Sequence, residues 1–164
     1  MTNSLLKSAY LASGCFWGTE YWFKRTKGII ATEVGYCGGT LEQPSYEEVS
    51  TGKTGHAETV KVDYNPQIIS YKNILKLFFE THDPTQIDRQ GPDIGTQYRS
   101  AIFYQDEDEK AIALDLIKIL EATKLKVVTE ISPFTKFWKA EDYHQSYYSK
   151  TGQIPYCHVY KKKF

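Results

Sequence analysis

The sequence predicts a two-layer α/β (α+β) sandwich, and three observations predict it. Strand-like and helix-like stretches mix through one continuous chain, with no linker, repeat or low-complexity block. Residues 56–64 alternate with a period of two, Val60, Val62 and Tyr64 on one face and Lys61 and Asp63 on the other. Two further stretches carry apolar stripes of helical period, Ile74, Leu75, Phe78 and Phe79 in the first and Ala113, Leu116, Ile117 and Leu120 in the second. At 164 residues the chain can bury a proper core as one domain.

The elements follow in order. Residues 9–12 form a short apolar run read as a buried strand, and residues 19–25, free of Gly and Pro, read as the first helix. Residues 29–36 read as a strand stopped by Gly38-Gly39, and residues 44–49 as a short helix or turn closed by Gly52. After the alternating strand, Ser70 reads as the N-cap of a helix over 71–81. The polar stretch 82–97, roughly sixteen residues with no predicted element, has the length of a functional loop. A strand over 100–104, a helix over 106–121, a strand over 127–131 and an aromatic-rich helix over 139–150 complete the pattern. Residues 151–164 read as an irregular tail.

Composition excludes several classes. Lys+Arg and Asp+Glu are both 20, so no polyanionic partner is implied, and Lys161-Lys162-Lys163 reads as a short solvated run. No apolar stretch is long enough to span a bilayer, residues 1–14 carry no signal-peptide pattern, and the expected compartment is the cytoplasm. Cys15, Cys37 and Cys157 are odd in number and widely spaced, which is neither a disulfide framework nor a zinc site. In a reducing compartment such cysteines are inert or catalytic.

Two residues stand out. Cys15 lies in Gly14-Cys15-Phe16-Trp17-Gly18, at a strand-to-helix turn where free N–H groups and the helix dipole favour a thiolate. Phe16 and Trp17 place an apolar wall beside the sulfur, which suits a soft, methyl-bearing substrate. On these residues alone the favoured reading of Cys15 is a buried small hydrophobe, as most free cysteines are. Glu58 has the parity of the apolar face of its strand, where burial keeps a carboxyl protonated and fit for general acid work. It is also readable as the frayed, exposed end of that strand.

Across nearly its whole length the chain resembles the type A peptide methionine sulfoxide reductases. The matching pieces stand in the family's order: Gly14-Cys15-Phe16-Trp17-Gly18, Gly35-Tyr36-Cys37-Gly38-Gly39, Tyr46-Glu47-Glu48-Val49 and Thr54-Gly55-His56-Ala57-Glu58. His82-Asp83-Pro84-Thr85, Gly95-Thr96-Gln97-Tyr98-Arg99-Ser100 and Ala140-Glu141-Asp142-Tyr143-His144-Gln145 follow. Each is weak alone; together at compatible spacing they are very specific.

The resemblance implies a ferredoxin-like plait with a mixed sheet, in a single catalytic domain over 1–164 whose tail, 151–164, carries the resolving cysteine. It implies reduction of the S epimer of methionine sulfoxide, free or in oxidised proteins, and hence protein repair. Carried over residue by residue, Cys15 is the nucleophile, and Phe16 and Trp17 hold the ε-methyl group. Glu58, Tyr46 and Tyr98 surround the sulfoxide oxygen, and Asp93 joins their hydrogen-bond network. Cys157 matches the resolving position, and a flexible tail closes a disulfide without straining the core. Cys37 is a bystander or a competing resolver. No bound cofactor or metal is implied; thioredoxin or another dithiol is the external reductant, and the protein is expected to act as a monomer without nucleic acid or membrane. A thiol peroxidase would explain the cysteines but not the acid, the tyrosines and the aromatic wall. A non-catalytic binder of oxidised methionine would not need Cys15 and Glu58. His56, His144, Arg99, Asp83, Trp138 and Tyr143 read as structural residues.

Overall fold

The computed structural model describes residues 5–164. The first four residues of the expected 1–164 domain, and part of the 1–14 stretch, lie outside the described residues. Strand β1 (Lys7–Ser13) is buried on both faces and runs through the middle of a sheet, between β3 (Ala57–Tyr64) and β6 (Ser100–Tyr104). β2 (Ile29–Cys37) lies outside β3, pairing Tyr36 with Glu58. All three of these pairings within the central four strands are antiparallel. β7 (Glu130–Pro133) adds in parallel to β6, and β8 (Phe137–Lys139) adds antiparallel to β2, which makes the six-stranded sheet mixed. The order β7-β6-β1-β3-β2-β8, with helices α1 (Phe16–Lys24) and α3 (Tyr71–Glu80) crossing between strands, is the expected plait.

Alternation in the strands builds two cores. Ala9 and Leu11 of β1, with Val60, Val62 and Tyr64 of β3, meet Phe23 of α1, Phe78 of α3 and Leu116 of α4 (Glu107–Ala122). The intervening residues Tyr10 and Ala12 join Cys37 and Phe103 on the opposite face, where Phe134 stacks on Tyr10 at 3.9 Å between centroids. Helix starts follow the capping signals: Ser70 accepts from Asn73 N–H, Asp106 from Glu109 N–H, and Ser45 with Glu48 closes a capping box on α2 (Tyr46–Ser50).

Three stretches depart from local expectation. The strand expected over 127–131 begins at Glu130, because Val128 N–H donates to the Pro84 carbonyl of the long loop instead of to the sheet. The helix expected over 139–150 is β8, a 3-10 turn (Asp142–His144) and a short α5 (Tyr147–Thr151). Tertiary bonds override its periodicity: the Gln145 amide accepts from Val34 N–H and donates to Val34 C=O, and Ser146, at φ 54°, donates its N–H to Glu20. The loop 82–97 is not featureless, since Arg89–Gln90 (β4) pairs with Asp93–Ile94 (β5) ahead of a 3-10 turn at Thr96–Tyr98.

The tail is held rather than loose. Trp22 Nε1 donates to the His158 carbonyl, Lys161 and Lys163 N–H donate to Glu80, and Lys163 Nζ donates to the Phe79 and His82 carbonyls. Lys163 is therefore not part of a solvated run; its ammonium satisfies carbonyls at the C-terminal end of α3. Among the described residues no helix is long and apolar enough to cross a membrane.

Candidate active site

Gly14, at φ 95°, turns the chain from β1 into α1, and Cys15 caps that helix with its backbone. Its carbonyl accepts from Gly18 and Thr19 N–H. The cap is supplied from across the sheet: Glu58 Oε1 accepts from Phe16 N–H at 3.2 Å. Glu58 lies on the helix-facing side of β3 and is 2 % exposed, which settles its reading against a frayed strand end. Burial pushes its carboxyl well above the usual range, the Cys15 thiol and Asp93 add to that, and the Phe16 N–H opposes it. The acid is held neutral.

Tyr46 opens α2, where Glu141 accepts its N–H at 3.0 Å and the Tyr36 hydroxyl at 3.1 Å. Burial and then Glu58 push the Tyr46 phenol up, partly offset by hydrogen bonds with Ser50 and Tyr98. Tyr98, at the end of the 3-10 turn, is pushed far up by burial, then by Glu58, Tyr46 and Asp93. Asp93 is half-buried, burial raises its pKa, and its Oδ2 is buried with no hydrogen-bond partner among the described residues. Two phenols and two carboxyls whose pKa values are raised thus converge on the Cys15 turn.

The aromatic wall is built from both ends of the chain. Trp17 stacks on Tyr147 at 3.7 Å between centroids, and its Nε1 donates to His144 Nδ1 at 3.1 Å. Phe16 is buried beside Tyr36 and His144, whose ring also lies 4.4 Å from that of Tyr46. Burial lowers the His144 pKa, so its neutral ring serves as the acceptor that orients Trp17.

The Cys157 thiol lies beside Cys15, and neither is in a disulfide. That contact, then burial, pushes the Cys15 thiol up, against the pull of the Trp17 N–H. The expectation of a thiolate at the helix start therefore does not describe this state: one N–H does not outweigh a packed sulfur with a second thiol beside it. Cys157 also lines a cleft of about 420 Å³ together with Asp83, Gln90, Val159 and Lys163. Cys37 is elsewhere. It is 1 % exposed on the opposite face of the sheet, and burial pushes its thiol up to about 12.

All eight predicted site residues gather at one end of the sheet. Sequence reasoning gave no part to Glu141, Tyr147 or His158, and read His144 as merely structural. His158 adjoins Cys157 in sequence, and that dipeptide was its only local signal. His56 is structural, with Nδ1 accepting from Gly39 N–H and Nε2 donating to the Leu41 carbonyl. Arg99 pairs with Glu130 at 3.1 Å, and Asp83 gathers Thr85 and Gln86. Trp138 packs on the core, whereas Tyr143, on the 3-10 turn, is 60 % exposed. Among the described residues no three or more His, Cys, Asp or Glu cluster as metal ligands.

Comparison with known proteins gives the same direction. Residues 7–164 match the family model described as peptide methionine sulfoxide reductase. The chain is 51 % identical over 154 residues to a peptide methionine sulfoxide reductase MsrA of Sulfolobus acidocaldarius, covering 93 % of this chain and 87 % of that protein. Its structure is similar to the crystal structure of reduced Mxr1 from Saccharomyces cerevisiae, with TM-score 0.90, 36 % identity and coverage of 97 % and 94 %. It is also similar to Mxr1 in complex with Trx2, with TM-score 0.65, 27 % identity and coverage of 97 % and 92 %.

Proposed function

The chain belongs to the peptide methionine sulfoxide reductase family, and on that premise we propose that it reduces methionine S-sulfoxide, free and in oxidised proteins, with Cys15 as nucleophile and Glu58 as proton donor. One observation carries this reading. Glu58, buried and neutral, holds the first N–H of the helix that Cys15 caps, so acid and thiol are fixed to one turn.

A sulfoxide oxygen leaves poorly until protonated, and Glu58 supplies that proton while Tyr46 and Tyr98 donate hydrogen bonds to the same oxygen. Asp93 completes their network. Phe16 and Trp17 receive the methyl group. Protonation leaves positive charge on the substrate sulfur, which favours ionisation of Cys15 at the moment of attack; its high resting pKa then defers the thiolate until substrate is present. Cys15 bonds to the sulfoxide sulfur, methionine departs, the oxygen stays on Cys15 as a sulfenic acid, and the thiol proton restores Glu58.

Cys157 then condenses with the sulfenic acid, forming an S–S bond and releasing water. Cys37, behind the sheet, takes no part. An external dithiol reduces the disulfide; the solved complex of Mxr1 with Trx2 supports thioredoxin in that place. The protein works as a monomer in the cytoplasm, with residues 1–164 as one catalytic domain, and needs no bound cofactor.

The test is methionine formed per enzyme from separate S and R sulfoxides without added reductant. About one methionine per enzyme from the S form alone, with two thiols lost, is expected. No methionine from either epimer overturns the assignment.

A further inference from the structure

We infer that His158 is the proton acceptor for the resolving thiol, taking the Cys157 proton as that sulfur attacks the Cys15 sulfenic acid. The inference rests on the reading of Cys157 as resolver and adds a residue to it.

The tautomer follows from the partners. His158 Nε2 lies 2.6 Å from the Ser13 carbonyl, which can only accept, so Nε2 carries the ring proton. Nδ1 therefore presents a lone pair, and it lies 2.9 Å from Cys157 Sγ. The thiol is the only donor in that contact, so the S–H points at Nδ1. Thiol, imidazole and an orienting carbonyl form the arrangement by which an adjacent base activates a nucleophile.

The ring is fixed in place. His158 is 1 % exposed, Thr19 Oγ1 is 3.3 Å from Nε2, and Trp22 Nε1 holds the His158 carbonyl at 3.0 Å. Gly18 makes the space: a Cβ there would overlap the imidazole at Nδ1. The second glycine of the Cys15 motif thus seats the base of the second step on the turn that carries the nucleophile of the first.

Burial pushes the His158 pKa down to about 4, against the upward pull of the Ser13 carbonyl and of Asp93. The other titratable groups facing it are Cys157, Cys15 and His82, itself buried and down at about 3. The ring is neutral near pH 7, so Nδ1 presents its lone pair to the Cys157 thiol. In the step, the Cys157–Cys15 S–S bond forms as the Cys15 S–O bond breaks. The thiol proton goes to Nδ1, and the hydroxide leaves as water with the Glu58 proton. The imidazolium then returns a proton to solvent while Glu58 regains one, so one thiol and one sulfenic acid give one disulfide and one water.

His158→Gln is the discriminating variant, because its amide can still donate to the Ser13 carbonyl while the Nδ1 lone pair is gone. One equivalent of methionine sulfoxide is mixed with reduced enzyme, and methionine release and thiol loss are followed separately. The ratio of thiol-loss rate to methionine-release rate is expected to fall about 100-fold near pH 7, with sulfenic acid trappable by dimedone. The slowed step should then accelerate about tenfold per pH unit, as hydroxide from solvent takes the proton instead. An unchanged ratio overturns the role of His158. Cys157→Ser separates this from failure of the resolver reading: thiols still lost in pairs in that variant would mean that Cys157 is not the resolver at all. The unmodified enzyme gives a check independent of any variant's folding. Its thiol loss should be flat from about pH 6 to about pH 8, and a tenfold rise per unit over that range would overturn the proposal.

Discussion

Glu58→Gln should make the protein slower and more stable at once. The amide oxygen can keep the 3.2 Å bond from Phe16 N–H, so the start of α1 should be preserved. What is lost is a transferable proton, and removing a general acid costs about 10²–10⁴ in rate. The stability change follows from linkage. An unfolded glutamate loses its proton above about pH 4.3, whereas burial keeps the folded Glu58 carboxyl protonated well beyond that. The folded state then binds more protons, so the parent loses stability as pH rises, by ~1.4 kcal/mol per unit, until the folded carboxyl ionises. Glutamine has no such term, and the gap in its favour should widen at that slope. Urea unfolding of parent and variant at two pH values about one unit apart, with initial methionine release measured on both, reads the two effects together. A gap that does not change with pH above 4.3 would mean that Glu58 is ionised in the fold, and the proton-donor mechanism would fail with it.

Other variants probe the thiols and the seat of the tail. Cys15→Ser should abolish reduction, while Cys157→Ser should yield about one methionine per enzyme and stall with thioredoxin; sustained turnover would remove Cys157 from the relay. Cys37→Ala should keep the loss of two thiols per turnover and lower stability by about 1 kcal/mol, measured by thiol titration and denaturation. Gly18→Ala should push the imidazole off the α1 turn and slow thiol loss by at least about tenfold at near-normal methionine release; an unaffected ratio would mean that the ring position does not matter.

How far the sequence could be read depended on how local the deciding forces are. Alternation over β3 put Glu58 on the apolar side because side-chain direction there depends only on parity, and the helices with capping residues formed where those residues placed them. The segment after β8 misled because Gln145 and Ser146 find hydrogen-bond partners on β2 and α1, more than a hundred residues away in the chain. The Cys15 pKa misled for a similar reason. Its helix start was legible, but the thiol pressed against it comes from the far end of the sequence. His158 was printed beside Cys157, yet its value as a base depends on Ser13 and Gly18, and nothing in the dipeptide shows either.

The anchoring of the chain end has a consequence for how the oxidised enzyme is recycled. α5 ends at Thr151, and the next firm anchors are at His158, Lys161 and Lys163. Between them lies a short span in which Ile154 and Tyr156 are 77 % and 68 % exposed. Cys157 therefore waits near Cys15 with its search entropy already removed, and an incoming dithiol has to lift only that span, not the domain. Amide hydrogen exchange should divide the tail accordingly, fast at Ile154 and Tyr156 and slow at Lys161 and Lys163, with the boundary falling at the resolving sulfur.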